Sequence, residues 1–249
     1  MVETLIFWSA ACLAAFFVGA SKGGLPMVAV LAVPIISLVM PPMQGAALLL
    51  PVFLVSDVFG LWIYRHVFSR RNLAILIPAG AAGVFLGWLF AGSVDDDMVR
   101  VIIGTIGLGF IAMRQWGRLR GRVAARPANV PSGLFWGTVA GFTSFVSHAG
   151  GPAFQVYILP QRLEKMVFAG TATILFALIN LMKVPPYLAL GLVAWADLQI
   201  VAILAPVAII GAWVGYRLIQ IIPERVFFIA VEVALFLVSL NLIRIGLAL

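Results

Sequence analysis

Two short segments gather hydrogen-bond donors in otherwise apolar surroundings. The first is Ser21-Lys22-Gly23-Gly24; the second runs from Ser144 through Ser147 and His148 to Gly150 and Gly151. Each meets a proline within two residues, at Pro26 and Pro152. Proline lacks the N–H that continues a helix and glycine tolerates a turn, so both segments read as helix breaks that free backbone amides beside hydroxyl, ammonium and imidazole groups. Donors outnumber acceptors, which suits a small anion. Lys22 is the sharpest single residue, because a buried ammonium costs several kcal/mol unless a counter-ion or wet cavity compensates it. Its alternative is a lysine snorkelling to headgroups from a helix end. His148 aligns beside Ser21 and is a candidate proton carrier or switchable donor, with a plain bond to a carbonyl as the other reading.

Further polar residues fall inside apolar runs. Asp57 and Asn180 occupy corresponding helices; Asp57 is expected either to hold a coupling proton or to pair with Lys22. Glu232 is a second candidate proton site. Gln155 joins the anion donors, and Gln44, Gln155 and Thr171 can equally serve to bond across helices. No catalytic set is legible. His66 and His148 are too few and too distant in sequence to make a metal centre, no Ser/His/Asp arrangement stands out, and the Gly-Gly breaks lack the strand of a phosphate loop. No cofactor is expected. Cys12 stands alone in an apolar run, which rules out a disulfide framework and reads as packing.

The elements that must position these residues are membrane helices. Of 249 residues, 63% are hydrophobic and 10% charged, with a mean hydropathy of +1.14, whereas soluble domains carry about 25% charged residues. Too few polar side chains exist to cover a water-facing surface. The net charge of +7 comes from arginines at the ends of apolar runs, where lipid headgroups and the positive-inside rule account for it, so nucleic acid is not an expected partner. The first apolar run has no basic leader or small-residue cleavage site and is expected to be retained.

Apolar stretches and their breakers predict helices at Thr4–Ala20, Met27–Val39, Met43–Tyr64, Asn72–Gly92 and Met98–Trp116, then at Ser132–Ser147, Ala153–Leu159, Met166–Met182, Ala196–Ile219 and Pro223–Ile245. Five answer five. Pro78, Gly83 and Gly87 match Pro206, Gly211 and Gly215 at a constant displacement of 128 positions, the mark of an internal duplication. The breaks align at nearly the same displacement, Phe17 to Gly24 against Phe145 to Gly151. The expected units are residues 1–116, a basic connector 117–130, and residues 131–249. As one helix, Thr4 to Val39 would run to roughly 54 Å, so a hairpin bent at Ser21–Pro26 fits better. The arm Ala153–Leu159 is only about 10 Å long and is expected to re-enter.

A hairpin makes no net crossing. Three more crossings per half would insert the second half upside down, giving an inverted repeat with both termini outside. That arrangement places Arg65, Arg70, Arg71, Arg114, Arg118, Arg120, Arg122, Arg126, Arg162, Lys165, Arg217 and Arg225 in the cytoplasm, against Arg100, Lys183 and Arg244 outside. Asp95, Asp96 and Asp97 fall outside. Trp62, Tyr64, Trp116, Trp136 and Tyr216 are expected near the cytoplasmic boundary, and Trp8, Trp88, Tyr187 and Trp195 near the outer one, most of them as interfacial anchors.

The two glycine-rich breaks ending in proline, Gly19 to Pro26 and Gly141 to Pro152, within a duplicated membrane chain of this length, resemble the TauE/SafE-type sulfite exporter family, also grouped as toluene-sulfonate uptake permeases. The resemblance covers nearly the whole chain. Many members show three glycines in each break; Lys22 and Ala149 stand near where that run would start. The family implies transport of sulfite, organosulfonates or related sulfur oxyanions across a bacterial inner membrane, coupled to an ion gradient. The leading expectation is therefore an all-helical, multi-pass secondary transporter, with Lys22, Ser21, His148 and the Gly-Gly amides binding the anion and Asp57 or His148 carrying a proton. An anion-selective channel built on the same donors is the competing class. The sequence leaves the oligomeric state open, a homodimer included.

Overall fold

A computed structural model describes residues 2–36, 39–40, 42–91, 96–119, 125–192 and 197–247. Asp95, Arg120, Arg122 and Trp195 lie outside the described residues, as do the side chains of Asp96, Arg100, Arg114 and Arg118. Among those described, the chain is helical without strands. The first half holds α1 (Val2–Gly23), a 3-10 turn (Pro26–Leu31) leading into α2 (Ala32–Ile36), α3 (Pro42–Tyr64), α4 (Arg70–Leu89) and α5 (Asp96–Leu119). The second holds α6 (Val130–Ser147), α7 (Gly151–Ile158) running into a 3-10 turn (Leu159–Gln161), α8 (Lys165–Ala189), α9 (Asp197–Ile221) and α10 (Glu224–Gly246). Six of these are long and apolar enough to cross a bilayer: Leu5–Gly23, Gln44–Tyr64, Arg70–Leu89, Lys165–Ala189, Leu198–Ile221 and Glu224–Gly246.

Both breaks fall where glycine and proline put them. The expected helix Met27–Val39 is instead a 3-10 turn capped by a five-residue α-helix, so the return arm of the first hairpin is short and tight. Gly24, at φ +139°, makes the turn in a conformation L side chains rarely adopt. In the second hairpin that duty falls to His148, in the left-handed region at φ 54°, where it caps α6 by donating its N–H to the Ser144 carbonyl.

Cross-packing joins the halves: α1 lies mainly against α9, α6 against α4, and α5 against α10. Helices approach this closely in lipid only where small residues allow it. A side chain on Gly211 would collide with the Phe16 carbonyl and the Ala20 amide; one on Gly83 would collide with the Thr138 carbonyl and the Phe142 amide. The duplicated glycines thus do the same job twice. They also fix which residues of α1 and α6 correspond in space: Phe16 answers Thr138 and Ala20 answers Phe142, a displacement of 122. This corrects the alignment of the breaks on their shared Gly-Gly. The spatial counterpart of Lys22 is Ser144, and His148 lies one residue beyond the end of α6 instead of beside Ser21.

The outer surface is apolar, with Leu5, Val58, Trp62, Trp116, Ile203 and Ile221 exposed, as a lipid-facing bundle requires. Trp62, Trp88 and Trp116 are exposed and suit the anchoring role. Tyr64 and Tyr187 do not: both are fully buried, and their hydroxyls donate 2.7 Å bonds to the carbonyls of Gly23 and Phe145. A tyrosine that reaches a free helix-end carbonyl removes an acceptor that lipid could not satisfy.

Candidate functional site

The two helix breaks meet at a partly open cavity with about 450 Å³ of space free of protein atoms, open solvent included, lined by Ser21, Lys22, Pro26, Ala29, Phe53, Ser144, His148, Gly151, Ala172, Thr173, Phe176 and Asn180. Six of these are apolar or glycine and six carry polar side chains, the mixture of a ligand pocket that fixes a few hydrogen bonds within apolar walls.

The ends of α1 and α6 that reach this cavity are C-terminal, so they present carbonyls and the negative end of the helix dipole. That corrects the expectation that both breaks aim amides at an anion. On α1, the Lys22 carbonyl accepts from Thr173 Oγ1 at 3.5 Å, the Gly23 carbonyl from Tyr64, and the Ala20 carbonyl from the Leu25 amide at 3.2 Å. On α6, the Thr143 carbonyl takes the Ala149 amide, the Ser144 carbonyl takes Lys183, and the Phe145 carbonyl takes Tyr187. Of the expected amide donors, Gly151 lines the cavity at the start of α7, where first-turn N–H groups have no intrahelical acceptor. Gly23 instead packs against Ala212 of α9, Gly24 against the Tyr64 hydroxyl, and Gly150 against Ala140 and Phe176.

Positive charge on the cavity comes from lysine. Lys22, 4% exposed, places its Nζ 2.7 Å from Asp57 Oδ1, and Asp57 Oδ2 accepts from Asn180 Nδ2 at 2.9 Å. This is the pairing expected of Asp57, and burial excludes the snorkelling reading. The same ammonium lies 5.2 Å from the centre of the Phe53 ring, whose plane stacks on His148 with centroids 4.8 Å apart and 15° between planes. One aromatic wall therefore joins the two breaks. Ser21 lines the cavity while its hydroxyl donates to the Val18 carbonyl at 2.6 Å, so its lone pairs remain.

Sequence reasoning missed Lys183. Counted above as an outward-facing charge beyond the end of a helix, it lies inside α8 and is fully buried. The expected helix stopped at Met182; α8 instead runs through Pro185 and Pro186 to Ala189, as membrane helices can when neighbours satisfy the freed carbonyls. Lys183 Nζ lies 3.1 Å from the Ser144 carbonyl, 3.3 Å from Ser144 Oγ and 2.8 Å from His148 Nδ1. His148 Nε2 is 3.0 Å from the Ala46 carbonyl. A carbonyl only accepts, so Nε2 carries the hydrogen and Nδ1 accepts from Lys183. Both ring nitrogens of His148 are thereby engaged. At the α3-to-α8 displacement of 123 set by Asp57 and Asn180, the counterpart of Lys183 is Gly60, where an added side chain would meet Thr173 and Lys22.

The remaining candidates sit apart from the cavity. Ser147 is half-buried, its hydroxyl 3.4 Å from the Thr143 carbonyl. Gln155 is buried on α7 beside a smaller cavity shared with Pro26, Gly151 and Pro152. Thr171 accepts from the Ser69 amide at 2.9 Å and bonds across helices, as its weaker reading held. Gln44 is exposed at the start of α3, and Glu232 is buried on α10, away from the cavity lining. Among the described residues, no group of three or more potential metal ligands forms.

Spanning-length apolar helices around a small cavity with a buried lysine on its wall describe a multi-pass membrane protein. The family model "Sulfite exporter TauE/SafE" matches residues 11–242, nearly the whole chain, and the protein belongs to that family. Its members move sulfur anions such as sulfite through the membrane. No curated protein and no solved structure matches the chain.

Proposed function

We propose that this protein is a secondary transporter of a small sulfur oxyanion, sulfite or an organosulfonate, in a bacterial inner membrane, and that the anion is held in the cavity between the two helix breaks. The observation that carries this reading is the convergence of two buried lysines from opposite halves, Lys22 directly and Lys183 through Ser144 and His148, on one small cavity with Phe53 on its wall. The anion lies among the Lys22 ammonium, the hydroxyls of Ser144 and Thr173, the Asn180 amide and the first amides of α7. Burial makes each of these bonds stronger than it would be in water.

The halves act as inverted repeats that rock against each other on the glycine seams α1–α9 and α4–α6, exposing the cavity to each side in turn. Asp57 couples the cycle: an anion drawing on Lys22 competes with the carboxylate, which takes up a proton when it loses its partner. The test is uptake of labelled sulfite into proteoliposomes containing the purified protein. Saturable uptake that responds to an imposed pH gradient is expected; conductance that rises without saturating would replace the transporter with a channel.

A further inference from the structure

The charges around the cavity do not sum to zero, and the imbalance points to the charge of the substrate. Lys22 and Asp57 form a closed buried pair at 2.7 Å. Among the described residues Lys183 has no carboxylate at ion-pair distance: its Nζ has three acceptors, the Ser144 carbonyl, Ser144 Oγ and His148 Nδ1, which match the three N–H donors of an ammonium. A buried cation of this kind needs a counter-ion. Lys183 is walled off from the cavity, but Ser144 Oγ and His148, the two groups it bonds, both line it.

Resting on the function proposed above, we infer that Lys183 is the residue that sets the charge of the transported anion, and that the site takes a monoanion of the sulfonate or hydrogen sulfite type in preference to a dianion. With a monoanion bound, the loaded site holds two cations, Lys22 and Lys183, and two anions, Asp57 and the substrate. A dianion leaves one negative charge uncompensated in a low-dielectric interior. Lys183 acts as a positioning residue: it orients the Ser144 hydroxyl and the His148 ring and supplies the charge behind them. The contact matches the first half in exchanged form, since there the lysine stands on α1 against Gly60 and here it stands on α8 against Ser144.

The test uses the full-length protein in nanodiscs and calorimetric titration with methanesulfonate, a fixed monoanion, and sulfate, a fixed dianion of nearly the same tetrahedral shape. The parent is expected to favour methanesulfonate by about tenfold or more, and Lys183→Gln to weaken both anions while widening that ratio, because a lost cation costs a dianion about twice what it costs a monoanion. Asp57→Asn removes a negative charge and is expected to move the ratio towards sulfate. The double variant Asp57→Asn with Lys183→Gln restores the original charge sum and with it the preference for methanesulfonate. A structural role for Lys183 would weaken both anions alike and would give neither the opposite shifts of the two single variants nor the recovery in the double one. Ratios unchanged in Lys183→Gln and in Asp57→Asn overturn the inference while leaving anion binding intact. If Lys183→Gln does not fold, the direction of the Asp57→Asn ratio decides alone. A parent that binds neither anion overturns the proposed function and this inference with it.

Discussion

The two halves of the molecule use the same scaffold and different chemistry. In each, a helix that ends at a break is latched by a buried tyrosine, Tyr64 on the Gly23 carbonyl and Tyr187 on the Phe145 carbonyl, and is seated on its partner across a glycine seam. Those shared features are structural: they satisfy backbone acceptors and bring helix axes close. The halves diverge at the cavity. The first places its lysine on the broken helix and neutralises it with Asp57; the second places its lysine on α8 and surrounds it with Ser144 and His148. Asn180, the counterpart of Asp57, has lost the charge and kept the hydrogen bond. The two halves therefore share a packing frame and differ in how each places and partners its lysine, and the proposed anion site draws on that difference.

The largest expected effect separates the lysines. Lys22→Met leaves Asp57 as a buried, uncompensated carboxylate and should cost about 3–5 kcal/mol of stability, read as a lower midpoint in detergent-induced unfolding. Lys183→Met orphans no charge and removes bonds to neutral acceptors, so roughly 1.5–3 kcal/mol is expected in the same assay. Equal losses would mean that Lys183 has a carboxylate partner and that the contrast between halves is wrong. Adding Asp57→Asn to Lys22→Met should recover a large part of the stability, since the orphaned charge disappears.

Within the shared frame the halves should respond alike. Gly83→Ala and Gly211→Ala each force a methyl group onto a backbone carbonyl of the neighbouring helix, and about 1–3 kcal/mol of destabilisation is expected for both, with transport slowed if the seams slide. Tyr64→Phe and Tyr187→Phe leave one buried carbonyl without its donor and should each cost about 1 kcal/mol, measured by thermal unfolding. A large effect in one half and none in the other would show that the equivalence is geometric only.

Much of this arrangement was legible in the residues. The bilayer setting followed from composition and the helix breaks from Gly-Gly followed by proline, while the repeated spacing of Pro78, Gly83 and Gly87 pointed to glycines that pack helices closely. Lys22 with Asp57 was identifiable because charge is costly in an apolar run. Lys183 was hidden because the expected helix ended at Met182, which left the lysine as an outward-facing charge, whereas α8 runs on through Pro185 and Pro186. Tyr64 and Tyr187 were obscured for a related reason. A tyrosine at a helix end suits the interface, and only the packing of the broken helices shows that the hydroxyl is needed inside. The register of the breaks failed because shared Gly-Gly pairs were aligned by chemistry, while the seams that fix spatial equivalence lie further up each helix.

The central claim is that the anion occupies the cavity between the breaks. Diffraction data from crystals grown with selenite, a heavier analogue of sulfite, would locate it through the anomalous signal of selenium. A peak within hydrogen-bonding distance of Lys22 Nζ and Ser144 Oγ, lost in Lys22→Met, is the expected result; selenite bound elsewhere with this cavity empty would contradict the account.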